Sequence, residues 1–343
     1  MKIVFFSHSS LLYGAEKSLL NTVIGLKDRG FDIVVIIPSH GPLEDILSKN
    51  NIEIHVCFFY GWLGRKYKII KGFYRFIYNY FSILKINKYI RKVKPDIIYT
   101  NTIYSQVGSL VAKKNNIKHF WHIRELVNED MKADFDFGIG YVSKIVRNTT
   151  YCIIYNSEFT KRKYENYFLG IKSQVIYNGW LDVKIKTNYG RKEPVNCNSP
   201  VLCIVGSVHP GKGQILAVKA ISVLKKLYPN ILLKICGEGD ARYIKQIISI
   251  TKKMGLDKNV EWCGFVEDVD KIFQLSDISL FCSENEAFGR VVVESMSFGC
   301  PVIAANKGGL LEIIDDGYNG LLYKGGDFVD LSKKIKYLLN DYI

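Results

Sequence analysis

The chain has 343 residues, 48% of them hydrophobic, which is enough to bury two globular cores. Its eight cysteines stand singly with no CxxC pair, so reduced thiols are favoured over a disulfide framework. No run of about 18 apolar residues occurs, which excludes a membrane-spanning helix. The strand-like N-terminal run ends at His8 and Ser9, too early for a secretory signal, and we expect a cytoplasmic protein.

In the first half of the chain, apolar β-branched runs alternate with amphipathic segments of helical length, which is typical of βαβ units and a parallel sheet. A long helix is predicted over about Lys68–Lys92. The predicted strands of this half lie near Lys2–Ser7, Asp32–Ile37, Glu53–Phe58, Asp96–Thr100, Lys118–Ile123, Tyr151–Tyr155 and Gln174–Tyr177.

The aperiodic stretch at 181–199 predicts a linker, and the same alternation then starts again. The predicted strands of the second half lie near Pro200–Val205, Ile231–Cys236, Val260–Cys263, Ile278–Phe281, Pro301–Ala304 and Leu321–Tyr323. A last helix starts near Asp327 and runs to Ile343 without a cap, as in a chain that is incomplete at its C-terminus. The pattern predicts two doubly wound domains, at 1–180 and 200–343, with a cleft between them.

The formal net charge of +14 is concentrated in one segment. Between Glu53 and Asp96 every charged residue is Lys or Arg, and Phe, Tyr and Trp are interleaved with them. This mixture suits an anionic membrane surface, with rings among the headgroups. Two alternatives are a core-packing helix whose Lys and Arg face water, and a nucleic-acid surface, which we disfavour. The residues expected to meet the membrane are Lys66, Lys68, Lys71 and Arg75.

The most informative segment is SENEAFGRVVVESMSFGCPVIAANKGG, from Ser283 to Gly309. Glu286 and Glu294 are eight residues apart, and we expect them on one face of a helix that begins near Phe288 and Gly289. A helix N-terminus after a strand attracts phosphate, and the two carboxylates could accept hydrogen bonds from sugar hydroxyls. Taken alone, the spacing also fits two solvent-facing carboxylates.

This segment resembles the donor-binding region of glycosyltransferase family four, whose fold is the GT-B arrangement of two Rossmann-like domains. The resemblance implies that Glu286 contacts the donor sugar and that Glu294 holds the ribose hydroxyls. It implies that backbone groups of Phe288 and Gly289 face the sugar and phosphates. The neighbouring loop and helix would be shaped by Gly308, Gly309 and Glu312.

The loop at 206–213 follows a strand, opens a helix and resembles the phosphate loop of the same family. By resemblance, Lys212 neutralises the donor diphosphate. Ser207 stands where the family usually has Arg, so His209 or Arg290 supplies the missing charge or the donor binds less tightly. Further residues expected to face the donor, including those that seat the nucleotide base, are Gly206, Gly264, Phe265 and Val266.

In the first half, Gly14 lies in a glycine-bearing loop after the first strand, where the absence of a side chain permits a close backbone approach to a ligand. The family places a histidine near the donor sugar, and His122 matches it. Arg124 and Glu125 fit either a cleft pair or a surface pair. Other positions that resemble family residues, and that caps and turns explain nearly as well, are Asn156-Ser157-Glu158 and Asn178-Gly179.

The resemblance implies a retaining, hexosyltransferase-like enzyme that moves a sugar from a nucleotide-diphosphate sugar to a glycan or lipid-linked acceptor. The expected catalytic residues are His122 and Glu286. No metal or other cofactor is expected, since no His, Asp or Cys grouping has metal-ligand spacing. The absence of a first-strand GxGxxG excludes a dehydrogenase. The alternatives are a nucleotide-sugar epimerase of the same fold and a non-catalytic partner of another transferase.

Overall fold

The computed structural model describes residues 1–64, 68–127, 133–179 and 199–341. The chain divides into two compact units, Met1–Leu181 and Asp182–Ile343. Each unit is a parallel sheet with helices, which confirms the predicted α/β class with two doubly wound domains. The predicted linker at 181–199 lies almost entirely outside the described residues.

Unit 1 is built on a sheet with the strand order β3-β2-β1-β5-β6-β8-β9, in which every neighbouring pair is parallel. The strands of unit 1 are β1 (Lys2–Phe6), β2 (Asp32–Ile37), β3 (Glu53–Val56), β4 (Leu63–Gly64), β5 (Ile97–Asn101), β6 (Lys118–Ile123), β7 (Asp134–Phe135), β8 (Cys152–Tyr155) and β9 (Lys172–Val175). Strands β4 and β7 pair with each other outside this sheet. Its helices are α1 (Gly14–Lys27), α2 (Pro42–Lys49), α3 (Lys68–Val93), α4 (Val107–Lys114), α5 (Gly138–Thr149) and α6 (Glu158–Tyr164).

The sheet of unit 1 is covered on both faces because its strands are apolar on both sides. Ile3 and Phe5 pack into the core under α1 and α2, whereas Val4 and Phe6 pack into the core under α3 and α4. Successive strand residues point to opposite faces, so one short strand serves both cores. The chain runs from β1 to β2 on one side and later returns to β5 on the other, which creates a switch point between β1 and β5.

Unit 2 repeats this plan with the strand order β12-β11-β10-β13-β14-β15 and a switch point between β10 and β13. Its strands are β10 (Val201–Val205), β11 (Leu232–Cys236), β12 (Val260–Gly264), β13 (Ile278–Phe281), β14 (Val302–Ala305) and β15 (Leu321–Tyr323). Its helices are α7 (Gln214–Leu224), α8 (Ala241–Lys253), α9 (Val269–Leu275), α10 (Arg290–Ser297) and α11 (Phe328–Asp341).

Unit 1 differs from the sequence prediction at β3, which ends at Val56 and not at Phe58, at β9 and at an additional strand pair. Strand β9 lies two residues earlier than expected, because its pairing with β8 begins at Lys172 and the apolar side chains of Ile176 and Tyr177 are exposed. The short antiparallel pair of β4 and β7 was not predicted, because two-residue strands carry no periodicity.

The loops at the carboxyl edge of unit 2 are held together by backbone hydrogen bonds. Gly206 N–H donates to the carbonyl of Cys236 at 3.0 Å, and Gly237 N–H donates to the carbonyl of Gly264 at 2.6 Å. Gly237 has φ +141°, and a Cβ there would lie 1.9 Å from the carbonyl oxygen of Gly206. A side chain at this position is therefore excluded both by the backbone angle and by the neighbouring loop.

We predict that Gly237→Ala lowers the free energy of unfolding by about 2 kcal/mol or more, because it combines backbone strain with a steric clash. The matched control is Gly140→Ala in α5, where an added Cβ meets nothing within 4 Å. That control is expected to be neutral or slightly stabilising, since Ala is the better helix former. Urea unfolding of both variants measures the difference, and equal stabilities would contradict the prediction.

Candidate functional site

The loop after β10 meets the segment after β13 at the switch point of unit 2. Lys212 ends a short 3₁₀ turn, Pro210–Lys212, and Gly213 follows with φ +69°. A Cβ on Gly213 would lie 2.4 Å from the carbonyl oxygen of Cys282, so glycine lets the turn rest against the end of β13. Glu284 N–H also donates to the carbonyl of Gly211 at 3.1 Å. Lys212 is thereby brought close to residues more than 70 positions further along the chain.

Lys212 and Glu286 form an ion pair in which Nζ lies 2.5 Å from Oε2. Their side chains are 25% and 20% exposed, so both groups remain partly accessible to solvent. The two residues that the sequence assigned to the diphosphate and to the donor sugar therefore lie together.

Glu294 lies in α10 and pairs with Arg290 one turn earlier, at 2.7 Å between Nε and Oε1. Its side chain is only 10% exposed. The expectation that Glu286 and Glu294 share a helix face is wrong, because α10 begins at Arg290 and Glu286 lies in the loop before it. Each carboxylate instead has its own cation: Glu286, before α10, pairs with Lys212, and Glu294, within α10, pairs with Arg290.

The segment between Glu286 and α10 is fixed from behind by the loop after β14. Gly309 N–H donates to the carbonyl of Glu286 at 2.8 Å, and a Cβ on Gly309 would lie 2.5 Å from the carbonyl oxygen of Ala287. Phe288 is buried, and Gly289 has φ +97°. The backbone path is therefore set by glycine, which agrees with the expectation that Gly309 shapes this loop.

The other predicted donor residues lie at the same edge of the sheet. Gly206 follows β10, and the exposed Ser207 accepts a hydrogen bond at its carbonyl from the Gln214 side chain at 3.1 Å. Gly264 ends β12, and the ring of Phe265 just beyond it is 68% exposed. The half-buried Val266 follows. Arg290, one of the two residues expected to supply the charge missing at Ser207, is paired with Glu294.

In unit 1, His122 lies near the carboxyl end of β6 and is 4% exposed. Its Nδ1 forms a hydrogen bond with the hydroxyl of Tyr99. Burial, together with the nearby charge of Arg124, lowers the pKa of His122 well below its usual value, so the imidazole is neutral. Its buried Nε2 has no hydrogen-bond partner among the residues that the structure describes.

Arg124 is the centre of a buried polar network at the same edge. Its Nε donates to Asn101 Oδ1 at 2.7 Å, and its Nη1 donates to Asn178 Oδ1. Asn101 in turn donates to the carbonyl of Ala15 at 3.1 Å, and Asn156 donates to the carbonyl of Arg124 at 3.0 Å. Arg124 is therefore no part of a surface pair, and Asn156 and Asn178, which caps and turns could explain, belong to the network.

Glu16 and His8 were not singled out by the sequence analysis. The Glu16 side chain is 1% exposed and lies 3.2 Å from His8, between Oε1 and Nδ1. Burial raises the pKa of Glu16 to about 7 and lowers the pKa of His8 to about 4. The sequence signal that could have indicated the burial of Glu16 is helical spacing, because Glu16 precedes the buried Leu19 and Leu20 by three and four residues on α1.

Glu125, next to the network, behaves like Glu16. Its carboxylate accepts the N–H of Ile103 at 2.6 Å and that of Arg124 at 3.0 Å, yet burial still raises its pKa to about 7. The Coulombic effect of Glu16 acts in the same direction. Unit 1 therefore holds two carboxyl groups that change charge near neutral pH beside one permanent cation, Arg124.

Gly14, the first residue of α1, has open space around it. A Cβ at this position would meet nothing within 4 Å. Packing inside the chain therefore does not demand glycine here, and the role predicted for Gly14 in approaching a ligand stays a prediction.

The predicted membrane residues have different surroundings. Lys66 lies outside the described residues, as does the side chain of Lys68, whereas Lys71 is exposed. The structure corrects the expectation that Arg75 meets a membrane. Its Nη1 lies 3.1 Å from the buried Asp136 and donates to the carbonyl of Leu63 at 2.5 Å. Its guanidinium therefore ties α3 to β4 and to Asp136, which directly follows β7.

Among the residues that the structure describes, no helix combines the length and the apolar composition that a bilayer span requires. Nor do three His, Cys, Asp or Glu side chains come together there as a metal-binding group. The expectation of a reaction without metal stays a prediction.

We predict that Glu16→Gln changes how stability depends on pH. The folded state raises the pKa of Glu16 from 4.5 to about 7, so its favourable contribution is complete below pH 4.5 and is lost as the pH rises through 7. Since Gln does not ionise, the variant should gain on the parent by up to about 3 kcal/mol between pH 5 and pH 8.

Thermal unfolding across this pH range measures the gain. A stability difference between Glu16→Gln and the parent that stays constant with pH would contradict the burial argument.

The chain is similar to two protein families and to individual proteins. The profile of the Glycosyltransferase Family 4 matches residues 13–180, and that of the Glycosyl transferases group 1 matches residues 185–343. The putative glycosyltransferase EpsD of Bacillus subtilis is 33% identical over 40% of this chain and 36% of its own length. The capsular polysaccharide biosynthesis glycosyltransferase CapH of Staphylococcus aureus is 28% identical over 85% of this chain and 78% of its own length.

The lipopolysaccharide 1,2-N-acetylglucosaminetransferase of Salmonella typhimurium is 27% identical over 64% of this chain and 60% of its own length. The alignments with EpsD and with the Salmonella protein thus span less than two thirds of those relatives.

Solved structures show the same architecture. Anabaena HepE in complex with UDP and glucose superposes with a TM-score of 0.79 at 22% identity, over 99% of this chain and 90% of HepE. TarM of Staphylococcus aureus superposes with a TM-score of 0.74 at 14% identity, over 99% of this chain and 92% of TarM. At these identities the likeness shows the fold, which is the GT-B arrangement. The two profiles and this fold together show that the chain belongs to the family-four, group 1 type of glycosyltransferases.

Proposed function

We propose that the chain is a retaining glycosyltransferase that moves a sugar from a nucleotide-diphosphate sugar to a glycan or lipid-linked acceptor in polysaccharide biosynthesis. The observation that carries this proposal is the Lys212–Glu286 pair at the switch point of unit 2, the usual place for a nucleotide in such a sheet. CapH, a capsular polysaccharide enzyme, and the Salmonella lipopolysaccharide enzyme support the acceptor class.

The donor diphosphate is bound by Lys212 in this proposal. A nucleoside diphosphate leaves with additional negative charge, and a fixed cation beside it stabilises the transition state more than the ground state. Because Glu286 is the present partner of Lys212, the diphosphate competes with this carboxylate for the ammonium group. Glu286 is then released to accept hydrogen bonds from the hydroxyls of the transferred sugar.

Glu294 is assigned to the ribose hydroxyls. A carboxylate that accepts two vicinal hydroxyls binds them with charge-assisted hydrogen bonds, which are roughly twice as strong as neutral ones. Arg290 holds the Glu294 side chain through Nε, so its orientation is set before the donor arrives. The exposed ring of Phe265 and the backbone of Gly264 supply a surface for the base.

Unit 1 supplies His122 and the glycine-bearing loop at Gly14. In the proposed tautomer, the Tyr99 hydroxyl donates to Nδ1 of the neutral imidazole, which leaves Nε2 protonated and able to donate to a sugar hydroxyl. Arg124 fixes the loop ends around it through Asn101 and Asn178. The mechanism uses no metal, and the positive charge at the leaving group comes from Lys212.

The proposed location is the cytoplasmic face of a membrane, where a lipid-linked acceptor is presented. The acid-free, aromatic-rich α3 supports peripheral attachment there.

We predict that Glu286→Gln lowers the rate of sugar transfer by about 100-fold or more, because the amide cannot replace a carboxylate that strengthens its bonds in the transition state. Transfer is measured with a UDP-sugar and a lipid-linked acceptor, and NMR of the product reads its anomeric configuration.

Glu284→Gln, two residues earlier and exposed, is the matched control and should keep the parental rate. An unchanged rate for Glu286→Gln, an inverted product, or epimerisation of the donor without an acceptor would overturn the proposal.

We predict that a donor nucleotide raises the unfolding temperature by about 5 °C or more at saturating concentration, since a ligand stabilises the state that binds it. A panel of UDP-, GDP-, ADP- and dTDP-sugars identifies the base, and UDP is tested first because HepE was crystallised with UDP-glucose. Lys212→Ala should lose most of the shift, whereas Lys219→Ala in α7 should keep it. No shift with any nucleotide sugar would contradict the proposed donor class.

A further inference from the structure

The first half of α3, here residues 70–84, turns polar and small residues toward the protein. Asn79 accepts the N–H of Tyr60 at 2.8 Å and donates to its carbonyl at 3.0 Å. Ser82 donates to the carbonyl of Phe58 at 2.7 Å. Gly72 lies against Asp136, where a Cβ would approach the Asp136 side chain to 2.9 Å. This side of the helix is therefore attached by hydrogen bonds and close backbone contact, with few apolar side chains.

The outward side of the same half is apolar. Four of its residues, at spacings of three and four, form one stripe along the helix: Phe73, Ile77, Tyr80 and Leu84. The exposed large apolar side chains of α3 range from 38% to 85% exposed and are Ile70, Phe73, Tyr74, Phe76, Ile77, Tyr78, Tyr80, Phe81 and Leu84. A surface helix normally buries its apolar face, so this half of α3 has the reverse arrangement.

The second half of α3, residues 85–93, has the usual arrangement of a surface helix, with apolar side chains buried and charged side chains exposed. Ile86 and Ile90 are buried in the core of unit 1. Its outward side is basic and exposed, with Lys85, Lys88, Arg91 and Lys92. No acidic residue occurs anywhere in the helix. The exposed face of α3 therefore changes along its length from aromatic and aliphatic to uniformly positive.

We propose that this face of α3 lies on an anionic lipid bilayer, with the apolar half among the headgroups and acyl chains and the basic half on the lipid phosphates. An exposed patch that contains nine large apolar side chains marks an interaction surface. Among the occupants available, an anionic bilayer matches both halves, because it offers an apolar layer beside a negative surface. A second copy of the chain would place the same acid-free basic helix against itself. The inference deepens the proposed function by naming the surface that holds the enzyme at its acceptor.

The experiment measures binding of the full chain to sedimented vesicles of phosphatidylcholine alone and of phosphatidylcholine with an equal part of phosphatidylglycerol. The parent should bind the anionic vesicles and only weakly the neutral ones. Neutralising three basic residues (Lys88→Gln, Arg91→Gln and Lys92→Gln) should weaken anionic binding roughly 100-fold. The matched control neutralises three exposed lysines on α8, Lys245, Lys252 and Lys253, and should bind much more tightly than the α3 variant.

A second variant tests the apolar half with Ile70→Ser, Ile77→Ser and Phe81→Ser, because all three side chains are more than half exposed and lie outside the buried core. It should lose binding to the vesicles by at least about 10-fold, because burial of apolar area drives insertion. Equal binding to neutral and anionic vesicles, or α3 variants that bind as well as the α8 control, would overturn the inference. So would a dimer in sedimentation velocity that the serine variant abolishes.

The donor-induced rise in unfolding temperature separates this inference from the proposed function. Both α3 variants should keep that rise, since unit 2 binds the donor. If the parent does not bind vesicles but its unfolding temperature still rises with the donor, the membrane surface alone is refuted. Intact vesicle binding without a donor shift would refute the proposed function alone.

Discussion

Strand β10 pairs in parallel with β11 on one side and with β13 on the other, and the candidate donor site depends on this pairing. Parallel strands end at the same edge, so the loop that carries Lys212 and the segment that carries Glu286 must meet there. The parallel pairing of β1 with β5 and of β5 with β6 does the same in unit 1, where it brings Glu16, which follows β1, near Arg124, which follows β6. Each unit therefore places its polar residues at its own switch point.

The two units handle buried charge in different ways. Unit 2 gives each carboxylate of its site a basic partner, and both pairs stay partly open to solvent. In unit 1, loss of hydration raises the pKa of the Glu16 and Glu125 carboxyls to about 7 and keeps His8 and His122 neutral. The proposed diphosphate site needs a permanent cation, and the proposal assigns this role to Lys212 in unit 2. The proposed contact with sugar hydroxyls needs a neutral hydrogen-bonding group, and the proposal assigns this role to the neutral imidazole of His122 in unit 1.

Helix α3 shows how one element can serve two surroundings. Its second half contributes to the core through Ile86 and Ile90, as an ordinary surface helix does. Its first half is attached through Asn79, Ser82 and the Arg75 ion pair, which leaves the aromatic and aliphatic side chains outside. Hydrogen bonds and an ion pair replace hydrophobic burial there, so the apolar face is available to lipid without loss of the fold.

By itself, the sequence determined the α/β class, the bounds of strands such as Asp32–Ile37 and Lys118–Ile123, and the family resemblance on Glu286, Glu294 and Lys212, because periodicity and motifs are local in the chain. Tertiary structure alone decided that Lys212 pairs with Glu286, that Glu16 is buried, and which face of α3 is covered. These depend on residues far apart in the chain. Periodicity shows that a helix has two faces, and only the neighbouring elements decide which face they cover.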